Sequence, residues 1–176
     1  MLTVSDLALI ERFINTLEVD TVADDVGTPA RLAGWIETQG LGEVQVDAGG
    51  HARALALREA LRGLALANNG GTLYPLDLAT LNRAAAETGL RPRFQRGGAR
   101  LEPSASGLDA VLGRLVAEVY DAILEGSWAH FKACARDDCR WAFIDESRNG
   151  KRTWCSMRTC GNRNKVSRYR ERLRHS

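Results

Sequence analysis

Four cysteines, Cys134, Cys139, Cys155 and Cys160, are the only ones in a chain of 176 residues. They form two local pairs, each Cys-x4-Cys, with fifteen residues between the pairs. Thiolates are good ligands for zinc, which takes four of them in a closed tetrahedral shell. Each pair closes only a short loop, so little chain entropy is lost on binding. The x4 gap stands at the wide end of the usual two-to-four-residue spacing. Spacing alone leaves a disulfide pair, free thiols or an iron–sulfur cluster open. The N-terminus meets Asp6, Glu11 and Arg12 too early for a secretion signal. That favours metal over disulfides and predicts a soluble, cytoplasmic protein. No stretch approaches the ~20 apolar residues of a membrane-spanning helix.

The cysteines lie in a basic tail. From Lys132 to Arg174 there are 13 Lys and Arg against 5 Asp and Glu, a balance of +8 hidden inside a net charge of +2. The rest of the chain is therefore acidic, at −6. Opposite halves of this kind predict two modules with different partners, although a charge run also occurs as a plain solvated surface.

The elements that must position the cysteines follow from periodicity. Ser5 to about Glu18 reads as a helix with Leu7, Ile10, Phe13, Ile14 and Leu17 on one face. Thr28-Pro29 offers an N-cap and a first-turn proline for a helix bearing Leu32, Trp35 and Ile36. A longer helix is expected from near Gly50 to Asn68, broken by Asn69-Gly70-Gly71, and another from a cap at Asp77 to Thr88-Gly89. Residues 91–96 and 99–103 flank Gly97-Gly98, which reads as a hairpin turn, with Pro92 and Pro103 confined to edges or ends. The strongest helix follows Gly107 and stops at Gly126-Ser127. The fold class is α+β, mostly α: residues 1–127 form a helical domain with a small β-hairpin, and residues 128–176 form a treble-clef-like zinc module.

Within that module, 141–145 reads as a short strand, with a turn at 148–151 leading back to Thr153-Trp154-Cys155. A helix should begin around the last cysteine pair. On it, Val166, Tyr169 and Leu173 form an apolar stripe, expected to pack on the hairpin carrying Trp141 and Phe143. Lys165, Arg168 and Arg172 flank one side, and Arg163, Arg170 and Arg174 the other. Such rails suit phosphates, and arginine also reads guanine edges. The aromatics Trp141, Phe143, Trp154 and Tyr169 are of a kind that stacks on bases, but are expected first to cover the metal and the hairpin. The module is too small for a core of its own, so the metal must supply folding free energy.

Trp154-Cys155-Ser156-Met157, then Cys160-Gly161-Asn162-Arg163, resembles the signature of the CGNR zinc finger family. Phe143-Ile144-Asp145 and the basic run from Lys165 to Arg174 fit the same pattern. Phe13-Ile14-Asn15-Thr16 resembles the F-x-N-T element of ABATE, the domain that usually precedes this finger in bacterial stress-induced transcription regulators. The resemblance implies one structural zinc on Cys134, Cys139, Cys155 and Cys160. It implies nucleic-acid contact by Asn162, Arg163, Lys165, Arg168, Arg170, Arg172 and Arg174. Asn162 has a second use, as a brace donating to the thiolates. Gly161 suits close backbone approach to the metal or the helix start.

The remaining polar residues compose no catalytic pattern. His51, His130 and His175 are scattered, and no Ser-His-Asp order, phosphate loop or HExxH occurs. Asp24-Asp25 and Asp137-Asp138 read as solvated or capping carboxylates, the second pair beside Arg136 and Arg140. Arg91, Arg93, Arg96 and Arg100 read either as the solvated face of an edge hairpin or as a second nucleic-acid contact beside the finger. The expectation is thus a non-enzymatic DNA-binding regulator whose N-terminal domain senses a signal or dimerises. Its rival is a zinc-stabilised interaction module whose basic finger docks on an acidic partner or on its own N-terminal domain.

Overall fold

The computed structural model describes residues 6–174, apart from the side chains of Arg168 and Glu171. Helix α1 (Leu7–Ile14) opens at Asp6, whose carboxylate accepts the Leu9 N–H at 3.0 Å. The expected start at Ser5 lies outside the described residues, and the helix ends four residues short of Glu18. There the Thr16 hydroxyl donates to the Phe13 carbonyl at 2.8 Å, and Leu17–Glu18 (β1) pairs with Ala23–Asp24 (β2) instead. Threonine's local hydrogen bond competes with the helix ladder.

Helix α2 (Pro29–Thr38) starts as expected, with the Thr28 hydroxyl capping Arg31 N and Pro29 in the first turn. Helix α3 (Ala48–Ala67) is capped by Asp47, which accepts the Gly50 N–H at 2.6 Å. Helix α4 (Pro75–Glu87) begins earlier than the Asp77 cap predicts. Pro75 supplies a preset φ at the first helical position, so Tyr74 is the cap residue and Asp77 sits inside the first turn. Strands β3 (Leu90–Gln95) and β4 (Gly98–Pro103) pair with Gln95 opposite Gly98. The turn is therefore Arg96-Gly97, one residue before the expected one, with Gly97 at φ 98°. Helix α5 (Gly107–Glu125) ends at Gly126, which takes the left-handed conformation (φ 78°) that glycine adopts freely.

One buried cluster joins Ile10, Phe13 and Ile14 of α1, Leu32 and Ile36 of α2, Leu57 and Leu61 of α3, and Leu112, Leu115 and Val119 of α5. The cluster continues past residue 127. A 3-10 turn (Ser127–His130) leads into β5 (Phe131–Ala133), which pairs antiparallel with β6 (Ala142–Ile144). Phe131, Ala133 and Ala142 of this hairpin belong to the same core and are fully buried. Strand β6 thus has its partner on the N-terminal side, in Phe131–Ala133. The expected return strand at Thr153–Cys155 is irregular and touches the knuckle through one backbone bond, Ala135 N–H to Thr153 O at 3.2 Å. The middle residue of β5, Lys132, is buried too. It donates to Asp145 Oδ2 at 2.7 Å and to the Gly150 carbonyl at 2.6 Å, which folds the 145–152 loop over it.

The hairpin is fastened to the helical body by side chains that satisfy backbone groups. Asn15 donates to the Ala142 carbonyl at 3.0 Å and accepts the Ala142 N–H at 2.8 Å. Asn68 donates to the carbonyls of Trp128 and Phe131, and Asn69 to those of Ala133 and Thr153, at 2.7–2.9 Å. Arg62, almost fully buried, bridges the Ile14 carbonyl at 2.7 Å and the Arg140 carbonyl at 3.0 Å. One turn earlier on α3, Arg58 makes a two-pronged pair with Asp24 at 2.8 and 2.9 Å and donates to Thr16 Oγ1. Asp24 is therefore an ion-pair partner inside the fold rather than a solvated carboxylate, and Arg58 holds its pKa below the usual range against the opposing effect of burial.

Candidate metal centre and basic groove

Cys134 leaves β5 directly, and its N–H bonds the Trp141 carbonyl at 2.9 Å, closing the hairpin around the first cysteine loop. Inside that loop Cys139 N and Arg140 N both bond the Arg136 carbonyl, at 3.1 and 3.2 Å, and Arg140 exits at φ 53°. Arg136 and Arg140 pair with Asp138 and Asp137, the charge compensation expected of this loop. The second pair is held differently. Ser156 caps a π-helical turn (Met157–Gly161) by accepting the Thr159 N–H at 3.2 Å, and Gly161 N closes the wide turn on Ser156 O at 3.0 Å. A Cβ on Gly161 would stand 2.9 Å from the Met157 sulfur and 3.3 Å from Trp154, so the turn admits only glycine without displacing them. Cys160 is carried inside this turn, and helix α6 (Asn162–Arg174) starts at once after it.

These two supports bring all four sulfurs within 4.8 Å of one another, with Cys139–Cys155 and Cys155–Cys160 both at 3.6 Å. A tetrahedral zinc with bonds of ~2.3 Å sets sulfurs about 3.8 Å apart. The sulfurs are too far apart for disulfides, and all four cysteines are free. The electrostatics point the same way. Burial and the neighbouring Cys134 charge push the Cys155 thiol well up, and burial with the Cys139 contact pushes Cys160 up to about 11. At Cys134 burial opposes ionisation, but N–H groups of Arg136 and Cys155 hold its pKa below the ordinary thiol value. Four thiolates this close need a dication to offset their repulsion. The donor set fits one structural zinc ion. His130 is not part of the cluster, and His175 lies outside the described residues.

The region from residue 130 to 173 matches the model of the CGNR zinc finger. Residues 7–126 match the ABATE model, described as "Putative stress-induced transcription regulator". The chain belongs to the ABATE family. Its ABATE region supplies α1–α5, and the finger supplies β5, β6 and α6. A search among curated proteins found no match. In this ABATE–CGNR chain the F-x-N-T element has a definite task. Phe13 is in the core, Asn15 clamps the finger's Ala142, and Thr16 receives Arg58.

The residues expected to meet nucleic acid are divided by the helix. Asn162, Arg163, Arg170 and Arg174 line one groove of about 610 Å³, together with Arg136 and Arg158. At 100° per residue, Lys165 and Arg172 lie on the opposite side of α6. Arg168 belongs to that side as well, but its side chain lies outside the described residues. Arg158 was not singled out by sequence reasoning, and Arg136 was read only as a partner of the aspartates. The metal site joins them to the rail, since Arg136 lies between the first two cysteines and Arg158 between the last two. Asn162 braces the backbone instead of the thiolates, its amide donating to the Arg158 carbonyl at 3.1 Å. The apolar stripe does not pack on the hairpin: Val166, Tyr169 and Leu173 are 48–61% exposed. Phe143, by contrast, is buried beneath the Arg152 guanidinium, 4.7 Å from its ring centre.

Proposed function

We propose that this chain is a DNA-binding transcription regulator, and that the groove beside α6 grips the phosphate backbone. The observation behind this reading is the groove's lining: Arg136, Arg158, Arg163, Arg170 and Arg174 converge there with no carboxylate among the described lining residues. Arg136 is partly neutralised by Asp138, 2.8 Å from its Nε, which leaves about four full charges. Four phosphate contacts give a log–log salt slope of about −3.6, or roughly a 150-fold loss of affinity between 50 and 200 mM salt. Four thiolates fill the tetrahedral shell of zinc, so in this reading the ion is structural and the protein is not an enzyme.

The rival reading, a finger docked on its own acidic body, is met chiefly by the β5–β6 hairpin and not by the arginines of α6. The finger's contacts with the body are mainly apolar side chains, the Asn15, Asn68 and Asn69 amides and the Arg62 guanidinium on backbone groups. Glu11 faces Arg152, but no body carboxylate lines the α6 groove among the described residues. The arginine face of α6 stays exposed, which favours an external polyanion. The test is fluorescence anisotropy on random-sequence duplex DNA across a salt series, using zinc-loaded full-length protein. Arg163→Gln with Arg170→Gln should lower the slope by about 2. Unchanged affinity and slope in that variant would sink the groove assignment, and no binding at low salt would sink the DNA reading.

A further inference from the structure

A second cavity lies in the body, away from the finger's groove. It measures about 630 Å³ and is bounded by α5, strand β4 and the 41–44 loop. That is the size of a small-molecule site, for which roughly 300–1,000 Å³ is usual. Its walls are of two kinds. Leu41, Val44, Leu101, Val111 and Ala117 supply apolar surface. The charged residues are Asp6, Glu43, Glu102, Glu118 and Asp121 against Arg100 and Arg114, an excess of three negative charges.

Both arginines are already engaged. Arg100 is bound to Glu102 at 2.6 Å, and Arg114 stands 3.9 Å from Glu118. Arg93 reaches the Glu102 carboxylate at 3.4 Å from outside the lining and leaves a net of about two negative charges. Glu118 also accepts the Asp6 N–H at 2.6 Å, which fixes its carboxylate at the cavity wall. The carboxylates of Asp121 and Glu43 make no hydrogen bond or close ion pair with a described residue, Arg100 acting on Asp121 only at a distance. Asp121 projects from the same side of α5 as Glu118 and Arg114, being three and seven residues on. Burial, and then Glu125, raise its pKa, while Arg100 acts in the opposite direction. The field in this cavity is therefore negative and the surface beneath it apolar. An anion would meet like charges. A neutral apolar molecule would cover carboxylates without compensating them, which costs free energy.

We infer that this cavity binds a small organic cation with an apolar body, its ammonium or guanidinium group set against Asp121 and Glu118 and its apolar part against Leu41, Val44 and Val111. The site is independent of the DNA reading. It stands on α5, whose C-terminal end runs through the 3-10 turn into β5 of the finger, so an occupant would touch the helix that carries the finger.

The test uses zinc-loaded full-length protein and three probes of one shape: 4-phenylbutylamine, 4-phenylbutanol and 4-phenylbutyrate, each by isothermal titration calorimetry. The amine should bind at least ~10-fold more tightly than the alcohol, and the acid not measurably. Asp121→Asn should weaken the amine by about 10-fold and leave the alcohol unchanged. Ala110→Trp, which fills the cavity from a partly exposed position of α5, should abolish binding of both. Far-ultraviolet circular dichroism confirms that each variant is folded. Equal binding of amine and alcohol would overturn the charge argument. Amine binding indifferent to both substitutions would place it elsewhere and overturn the site. No binding by any probe at millimolar concentration would overturn the inference as a whole.

Discussion

Asn15→Ala tests the attachment of finger to body at its narrowest point. Asn15 is the C-cap residue of α1, at φ −78° and ψ 4°. Alanine takes those angles without strain, so the change reports the side chain's bonds and little else. It removes a donor to the Ala142 carbonyl and an acceptor for the Ala142 N–H. Ala142 is fully buried, so water does not readily replace either partner. Two hydrogen bonds of about 1 kcal/mol each, plus the cost of leaving buried backbone groups unsatisfied, give roughly 2–4 kcal/mol. In a chain of this length each kcal/mol moves the melting temperature by about 2–4 °C, so a fall of roughly 5–15 °C is expected. The assay is a far-ultraviolet circular dichroism melt of zinc-loaded full-length protein. Asn15→Asp keeps one acceptor but sets a charged oxygen against the Ala142 carbonyl, and should do no better than alanine. A melting temperature within about 2 °C of the parent for both variants would mean that apolar packing alone seats the hairpin, and the clamp argument would fail.

Other perturbations separate the remaining contributions. Lys132→Met leaves Asp145 buried without its counter-ion and should cost about 3–5 kcal/mol, read as a loss of denaturant midpoint. Lys132, Ser147 and the Arg152 N–H overcome burial and hold Asp145 well below the usual carboxylate range. Its contribution is therefore complete above the unfolded value of about 3.9 and is lost as pH falls below it. The stability gap between parent and Asp145→Asn should accordingly narrow from about pH 5 toward pH 3, and a gap that widens refutes the assignment. Metal analysis should find one zinc per chain, and a chelator should lower both the melting temperature and the helical signal. A helical signal unchanged on complete removal would show that α6 does not depend on the ion. Val166→Ser with Leu173→Ser should change stability by no more than about 0.5 kcal/mol each, because both positions are exposed. Phe131→Ala, in contrast, should cost about 3–5 kcal/mol in the same denaturation experiment.

What could be read from the sequence was whatever local chemistry decides. Thr28-Pro29 and Gly126 mark helix ends because capping depends on one or two residues. The four cysteines point to a metal because two close thiol pairs, in a chain that reads as having no secretion signal, suit zinc better than disulfides. Strand β5 was illegible, as it has three residues with a lysine in the middle. What permits that lysine to be buried is Asp145, thirteen positions later. Arg58 and Arg62 gave the same difficulty. A helical pattern places them beside Leu61 and Ala65, but nothing local shows that Asp24 and the carbonyls of Ile14 and Arg140 lie ready to receive them. The groove was half legible. Helical spacing aligned Arg163, Arg170 and Arg174, whereas Arg136 and Arg158 join them only once the cysteine loops close. The stripe of Val166, Tyr169 and Leu173 misled because amphipathic spacing signals a buried face only where a partner element is within reach. The hairpin's Phe131, Ala133 and Ala142 are taken up by the body's core, and Phe143 is covered by Arg152.

That commitment of the hairpin explains how α6 can be both exposed and held in place. Six of its thirteen residues are Lys or Arg and one is acidic, so the helix repels itself. A helix of this length is marginal alone even without that repulsion. Its described contacts are chiefly with the π-helical turn that carries Cys160. The chain of support therefore runs from α1 and α3, through Asn15, Arg62 and Asn69, to the hairpin and first cysteine loop. From there it crosses the metal to Cys155 and Cys160, and so to the root of α6. Body and metal are in series along this path, and weakening either loosens the same arginines. A polyanion bound along the groove would relieve that repulsion, so an exposed cationic helix rooted at the cysteine turn fits the proposed grip on DNA better than it fits a solvated tail.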